Sequence, residues 1–282
     1  MPQFARPKTR GAHVAFPAAL AVAFVLASSL TACGVSTQQE VQMGASYSAE
    51  IAREMPLIRD PETMQYVNVL GDSLAKVTDQ RDLEWHFTIV DSKEVNAFAV
   101  PGGWIYVNRG LIERFTKMDE LASVLGHEIG HVTQRHSIKQ QAKAQGTSLG
   151  VTLGCVLTGV CNTPGVGGLV NVGAGAMMAG FSRGDEAEAD RVGLDYVVRA
   201  GIDPRGMVET FEILLAERKA RPEGLESFFT THPLEEDRIA QARALIARIP
   251  SERLVGLTED SRAFQQFKAR VKALPPSPAM PK

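Results

Sequence analysis

Apolar residues return at helical spacing between about Asp119 and Gln141, where Val124, Leu125, Ile129 and Val132 mark a core-facing side. The pattern predicts a helix, with Thr116 as its N-cap and Asp119 as the capping-box partner. Two helices are expected upstream: one over about 39–54, and one after Pro61 that carries Val67, Leu70, Leu74 and Val77 on one face. Period-two alternation in Leu83-Glu84-Trp85-His86-Phe87-Thr88-Ile89 predicts a half-buried strand with His86 on its solvated side. Asn96 to Val100 and Trp104 to Val107 read as two further strands around Pro101-Gly102-Gly103. The glycines permit a tight reversal and the close approach of another backbone. A short helix opens after Asn108. Further helices are expected over about 183–200, 204–220, 235–248 and 259–273, before a Pro-rich tail. The order implies an α+β fold, mostly helical, with a small β-sheet beside the 119–141 helix.

Composition adds bounds. At 282 residues, 44% hydrophobic and 22% charged, the chain can bury one good-sized core. A net charge of -2 with no long basic run leaves no nucleic-acid partner to expect. Residues 1–32 read as a lipoprotein signal peptide: Arg6, Lys8 and Arg10 precede an apolar run from Phe16 to Leu30 that is short for a membrane span. Leu30-Thr31-Ala32-Cys33 has the form of a lipobox, so Cys33 is the expected lipidation site and membrane tether. Gly34, rather than Asp, after that cysteine implies sorting to the outer membrane, with the body facing the periplasm. Loss of the leader would take the net charge from -2 to -5, so acyl chains rather than charge would hold the body to an anionic leaflet. The expected division is 1–32 signal peptide, 33–250 catalytic domain and 251–282 C-terminal helix and tail. Cys155 and Cys161 read either as a disulfide closing a small loop or as two buried thiols.

The chemistry concentrates in His127-Glu128-Ile129-Gly130-His131. Residues four apart on a helix stand one above the other, so His127 and His131 can grip one metal ion. Glu128 lies beside that face, placed to take a proton from activated water. A third ligand must come from elsewhere, and the acids of Asp185 to Asp190 are the candidates. Glu186, Ala189, Asp190, Gly193 and Val197 share one largely apolar stripe, whereas Glu188, Arg191, Asp195 and Arg199 share the charged one. Glu186 is therefore the expected ligand and Glu188 a solvated pair-former. Asp190, one turn on, is expected to hydrogen-bond a ligating imidazole. His232, in a turn before Pro233 and ahead of Arg238, reads either as a cleft residue or as a surface histidine. Asn96, Ala97, Phe98, Gly102 and Gly103 mark a strand that can pair with an extended peptide or simply close a hairpin. From Ala144 to Ser182 there is no Asp, Glu, Lys or Arg. That stretch reads as a lid, a membrane-contacting segment or plain packing.

Four motifs occur in one order: Asn96 to Gly103 (NAFAVPGG), His127 to His131 (HEIGH), Ser182 to Asp190 (SRGDEAEAD), and Thr231-His232-Pro233 with Arg238. Together, over roughly residues 40–245, they make the chain resemble the zinc metallopeptidase family that includes HtpX, the mitochondrial protease OMA, the CAAX prenyl proteases, BepA and LoiP. With the lipobox, LoiP-like outer-membrane lipoproteins look nearest. The resemblance implies a zincin-like domain with one zinc ion per chain held by His127, His131 and Glu186. It also implies Glu128 as general base, and His232 and Arg238 as catalytic residues at the cleft. The implied substrates are unfolded or misassembled envelope proteins, with outer-membrane assembly machinery as a partner. No tetratricopeptide-repeat segment is expected after about residue 250, and no clear spanning helix. A rival reading keeps the zinc for structure alone, in a non-proteolytic periplasmic chaperone or assembly factor.

Overall fold

In the computed structural model, which describes residues 35–78, 81–143, 180–220, 231–232 and 236–278, the helices expected from periodicity are present with bounds shifted by a few residues. The signal peptide, Cys33, the Cys155–Cys161 pair and nearly all of 144–182 lie outside the described residues. Helix α1 runs Thr37–Glu54 and α2 Pro61–Ala75. Asp60 starts α2 by accepting from Thr63 N at 2.9 Å, and Pro61 takes the first helical position, where no N–H is needed.

Three strands follow: β1 (His86–Val90), β2 (Ala97–Val100) and β3 (Trp104–Asn108). β2 and β3 form the antiparallel hairpin, turned by Gly102 and Gly103 at φ 81° and 107°. β1 lies parallel to β3, giving the order β1-β3-β2. Local alternation could not announce the parallel pairing, because it joins segments separated by a whole excursion of chain. Alternation does decide what each face meets. Phe87, Ile89, Ile105 and Val107 enter the main core with Leu70 and Leu74 of α2. Val90, Val100 and Tyr106 face the other way, under Tyr47 and Ile51 of α1 and Met55 just after it.

After a short α3 (Arg109–Arg114) comes α4 (Met118–Thr133), which the main core surrounds through Leu121, Leu125 and Ile129. Its cap differs from the expected one. The Glu120 carboxylate, not that of Asp119, accepts from Thr116 N at 2.5 Å and Lys117 N at 3.0 Å. The helix starts one residue later than the pattern suggests, which puts residue 120 in the reciprocal position. α4 is also shorter than expected. It stops at Gln134 and Arg135, the latter at φ 58°, and the chain is helical again over 136–143. Arg135 is held there by Glu40 of α1 at 2.8 Å, a buried carboxylate that also takes Arg81 at 3.0 Å.

The remaining helices are α5 (Arg183–Arg199), α6 (Arg205–Ala220), α7 (Glu236–Ile246), α8 (Ser251–Leu254) and α9 (Arg262–Ala273). No helix among the described residues is long and apolar enough to cross a membrane.

Released from the capping role, Asp119 is fully buried, and neither carboxylate oxygen has a hydrogen-bond partner among the described residues. Burial, opposed by Lys117 and reinforced by Glu209, Glu120 and Asp203, pushes its carboxyl from 3.8 up to about 7. Between those values the folded chain holds a proton that the unfolded chain has released, so this group lowers stability as pH rises from about 4 to about 7. Asp119→Asn is expected to raise Tm at pH 8 by a few degrees, at roughly 2–4 °C per kcal/mol for a chain of this size. The gain should vanish below pH 4, where both states hold the proton. Thermal melts of the two chains across that range check it, and a lower Tm for the variant at pH 8 would refute it.

Candidate metal centre

α4 and α5 cross at backbone contact. A Cβ at Gly193 would stand 2.8 Å from the backbone of Gly126 and His127, and one at Gly130 would stand 3.0 Å from the Ala189 carbonyl oxygen. Glycine at these positions lets the helices close, and closure brings the inward stripe of α5 onto the two histidines of α4. Glu186, Ala189, Asp190 and Val197 are buried, while Arg191, Asp195 and Arg199 stay in solvent, as their periodicity predicts.

Four side chains then converge. His131 Nε2 lies 2.9 Å from His127 Nε2 and 3.3 Å from Glu186 Oε1. His232 Nδ1 lies 3.1 Å from Glu186 Oε1 and 3.4 Å from His127 Nε2, and Glu186 Oε2 is 3.6 Å from His127 Nε2. These donor atoms all fall within 4.8 Å of one another, and all four residues are buried. Ligands about 2.0–2.1 Å from a tetrahedral ion stand roughly 3.3 Å apart. The observed spacings of 2.9–3.6 Å bracket that figure. Three imidazoles and one carboxylate are a donor set suited to zinc, which is the cofactor of this site.

The two imidazoles of α4 are supported from behind. His127 Nδ1 meets Asp190 Oδ1 at 2.8 Å. Arg238 locks that carboxylate in place, donating from Nε at 2.9 Å and from Nη2 at 2.7 Å, and gives its Nη1 to Glu186 Oε2 at 2.6 Å. Arg238 thus serves two carboxylates from behind the cluster. Its aliphatic and planar surface lies over the Phe211 ring, 4.6 Å from the centroid. His131 Nδ1 meets His136 Nδ1 at 2.9 Å, and the Phe181 ring stacks on His131 at 3.9 Å. Phe181 N donates to Thr231 O at 3.1 Å, tying the approach to α5 to the residue before His232.

Electrostatics follow from burial and pairing. Burial acts to raise the Glu186 carboxyl, yet His232, His131 and His127 bring it well below the usual carboxylate range. Asp190 is likewise lowered, with Arg238 overcoming burial. Burial lowers His131 well below the ordinary imidazole value, keeping it neutral as a ligand must be. His232 is raised, because Glu128 and Glu186 outweigh its burial. Glu128 is raised by burial, against the pull of His232 and His127. Its Oε1 stands 3.5 Å from His232 Nε2, and its Oε2 has no hydrogen-bond partner among the described residues. A small cavity whose lining includes Ser123, Val124, His127, Glu128, Phe211 and Arg238 adjoins it.

His127, Glu128, His131, Glu186, Asp190, His232 and Arg238 therefore stand together. Ala97 and Phe98 enter the outer strand β2, with Asn96 just before it, and the strand packs beside α4. Gly102 and Gly103 do not reach the cluster: their tight neighbours are Val41 Cα and the Glu84 carbonyl. His86 is part-exposed and stacks on Trp104 at 4.9 Å. Sequence reasoning missed His136 and Phe181. A third histidine within ten residues of His127 was the available signal for the first.

The model of Peptidase family M48 matches residues 61–246. The chain is 37% identical over 218 residues to the beta-barrel assembly-enhancing protease of Escherichia coli (strain K12), covering 74% of this chain and 44% of that one. It is 32% identical over 158 residues to metalloprotease LoiP of the same strain, covering 56% and 61%. It is 31% identical over 180 residues to mitochondrial metalloendopeptidase OMA1 of Schizosaccharomyces pombe, covering 63% and 51%. The chain spans about half the length of the beta-barrel assembly-enhancing relatives. With a buried three-histidine, one-carboxylate cluster on the crossing of two helices and a family match over the elements that build it, the chain belongs to peptidase family M48.

Proposed function

We propose that the chain is a zinc-dependent endopeptidase of the bacterial periplasm that cuts unfolded or misassembled envelope proteins. The observation that supports it most is Glu128: a buried carboxylate, raised by burial, with one oxygen unpartnered beside the donor cluster. Such a group is built to accept a proton.

His127, His131 and Glu186 would hold the ion. Bound zinc supplies Lewis acidity, acidifying water toward neutral pH and polarising a carbonyl. Glu128 Oε2 takes the proton from the attacking water and returns it to the leaving amine. Asp190 and Arg238 keep His127 and Glu186 in place and take no part in proton transfer. His232 is the donor that belongs to neither crossing helix, so it is the one whose displacement would open a position for substrate. Its Nε2 stands 3.5 Å from Glu128 Oε1, on the side where it can hydrogen-bond the developing oxyanion. The outer strand β2 offers backbone groups to an extended peptide.

Lipidation at Cys33, an outer-membrane tether and contact with outer-membrane assembly machinery complete the proposal. The last draws on the name of the beta-barrel assembly-enhancing proteases. The position of His232 also favours a second reading, because four protein ligands are the mark of a structural zinc site. Degradation of casein separates the two. The proposal expects cleavage that a chelator abolishes and zinc restores. A zinc-loaded chain that leaves casein and the envelope proteins of its own cell intact would favour the assembly-factor reading.

A further inference from the structure

His136 is a buried histidine that the mechanism above does not use. Its Nδ1 lies 2.9 Å from His131 Nδ1, and its Nε2 lies 3.3 Å from Glu188 Oε2 and 3.7 Å from Asp185 Oδ1. The tautomers follow from these contacts. A His131 that binds metal through Nε2 carries its hydrogen on Nδ1. His136 Nδ1 must then accept, which leaves the His136 hydrogen on Nε2, pointing at Glu188.

We propose that His136, anchored by Glu188, is a positioning residue that fixes the tautomer and ring rotation of His131 and so sets the affinity of the metal centre. This rests on reading the four-donor cluster as a zinc site. The two histidines of α4 are thereby held by different devices. His127 is held by one buried carboxylate clamped by Arg238, whereas His131 is held by an imidazole whose own anchor reaches the surface. Glu188 keeps company there with Lys139 at 3.7 Å and Arg191 at 3.8 Å. The charged stripe of α5 therefore contributes to the site through one residue, which its periodicity alone assigns to solvent.

Outer partners of metal-ligating histidines are worth about 10–100-fold in affinity. In the full chain, His136→Phe keeps a buried ring but offers no acceptor, and is expected to weaken zinc binding by about that factor. Its metal-free Tm should be unchanged, because a ring still fills the site. His136→Asn places an oxygen where Nδ1 stood and should recover most of the affinity. Glu188→Gln, a change at a part-exposed position, should give a smaller loss and leave the fold intact. The readouts are the zinc dissociation constant by competition with a chromophoric chelator, and Tm of the metal-free chain. Wild-type affinity in both His136→Phe and Glu188→Gln would overturn the proposal. So would equal loss in His136→Phe and His136→Asn with a matching fall in metal-free Tm, the signature of a merely structural role. Failure of the unaltered chain to bind zinc would overturn the metal-site reading itself, and that control tells the two failures apart.

Discussion

Glu128→Gln should retain zinc and lose cleavage of an unfolded protein by at least about 10²–10⁴-fold, the usual contribution of a positioned acid–base group. Gln has the same shape and reach, so the packing of α4 is preserved. The amide cannot accept the proton that the unpartnered Oε2 is placed to take. Glu128 is not among the four converging donors, so metal content should stay at one ion per chain. Burial disfavours the charged carboxylate, so exchanging it for a neutral amide should not lower Tm. Turnover of casein, zinc content by atomic absorption and a thermal melt test the three parts together. Undiminished turnover would end the proposed mechanism. Loss of zinc along with activity would mean that residue 128 supports the metal rather than the proton.

The second large effect belongs to Arg238. Arg238→Met keeps an unbranched chain over Phe211 but strips the shared counter-charge from Glu186 and Asp190, both buried. Removing one partner from a buried ionic cluster typically costs about 3–5 kcal/mol, because the remaining charges stay buried without compensation. At roughly 2–4 °C per kcal/mol, the metal-free chain should lose on the order of 10 °C in Tm. Zinc should recover part of the deficit, because a cation beside Glu186 replaces some of the missing charge, and binding to the folded state alone stabilises it. Arg238→Lys should fall between, since an ammonium cannot fork to two carboxylates as the guanidinium does. Melts with and without zinc measure this, and an unchanged metal-free Tm in the Met variant would show that the two carboxylates need no shared cation.

Much of the site was legible in the chain because it lies on amphipathic helices. The core-facing side of 118–133 carries both histidines of the metal pair, and the inward stripe of 183–199 selects Glu186 over Glu188. His136 was not legible, for a geometric reason. At about 100° per residue, a continuous helix turns a residue five positions on roughly 140° away from His131. Only the left-handed Arg135 brings it back, and Glu40, from a helix near the start of the described chain, holds that residue. The partners of Arg238 were not legible for a related reason: sequence put it near the cleft but carried no sign of which carboxylates it would face.

Local pattern by itself determined the helices, the hairpin, the two metal-facing histidines, the neighbouring Glu128 and the side of α5 that turns inward, since each depends only on spacing within one element. Folding in three dimensions decided the parallel pairing of β1 with β3, the arrival of His232 as a fourth donor, the inward reach of Arg238 and the support of His131 by His136 and Glu188. Most of those contacts join segments far apart along the chain, and the His131–His136 contact crosses a break in the helix. Those at the metal centre depend on how closely glycine lets α4 and α5 cross and on one backbone angle at Arg135, and no periodicity records either.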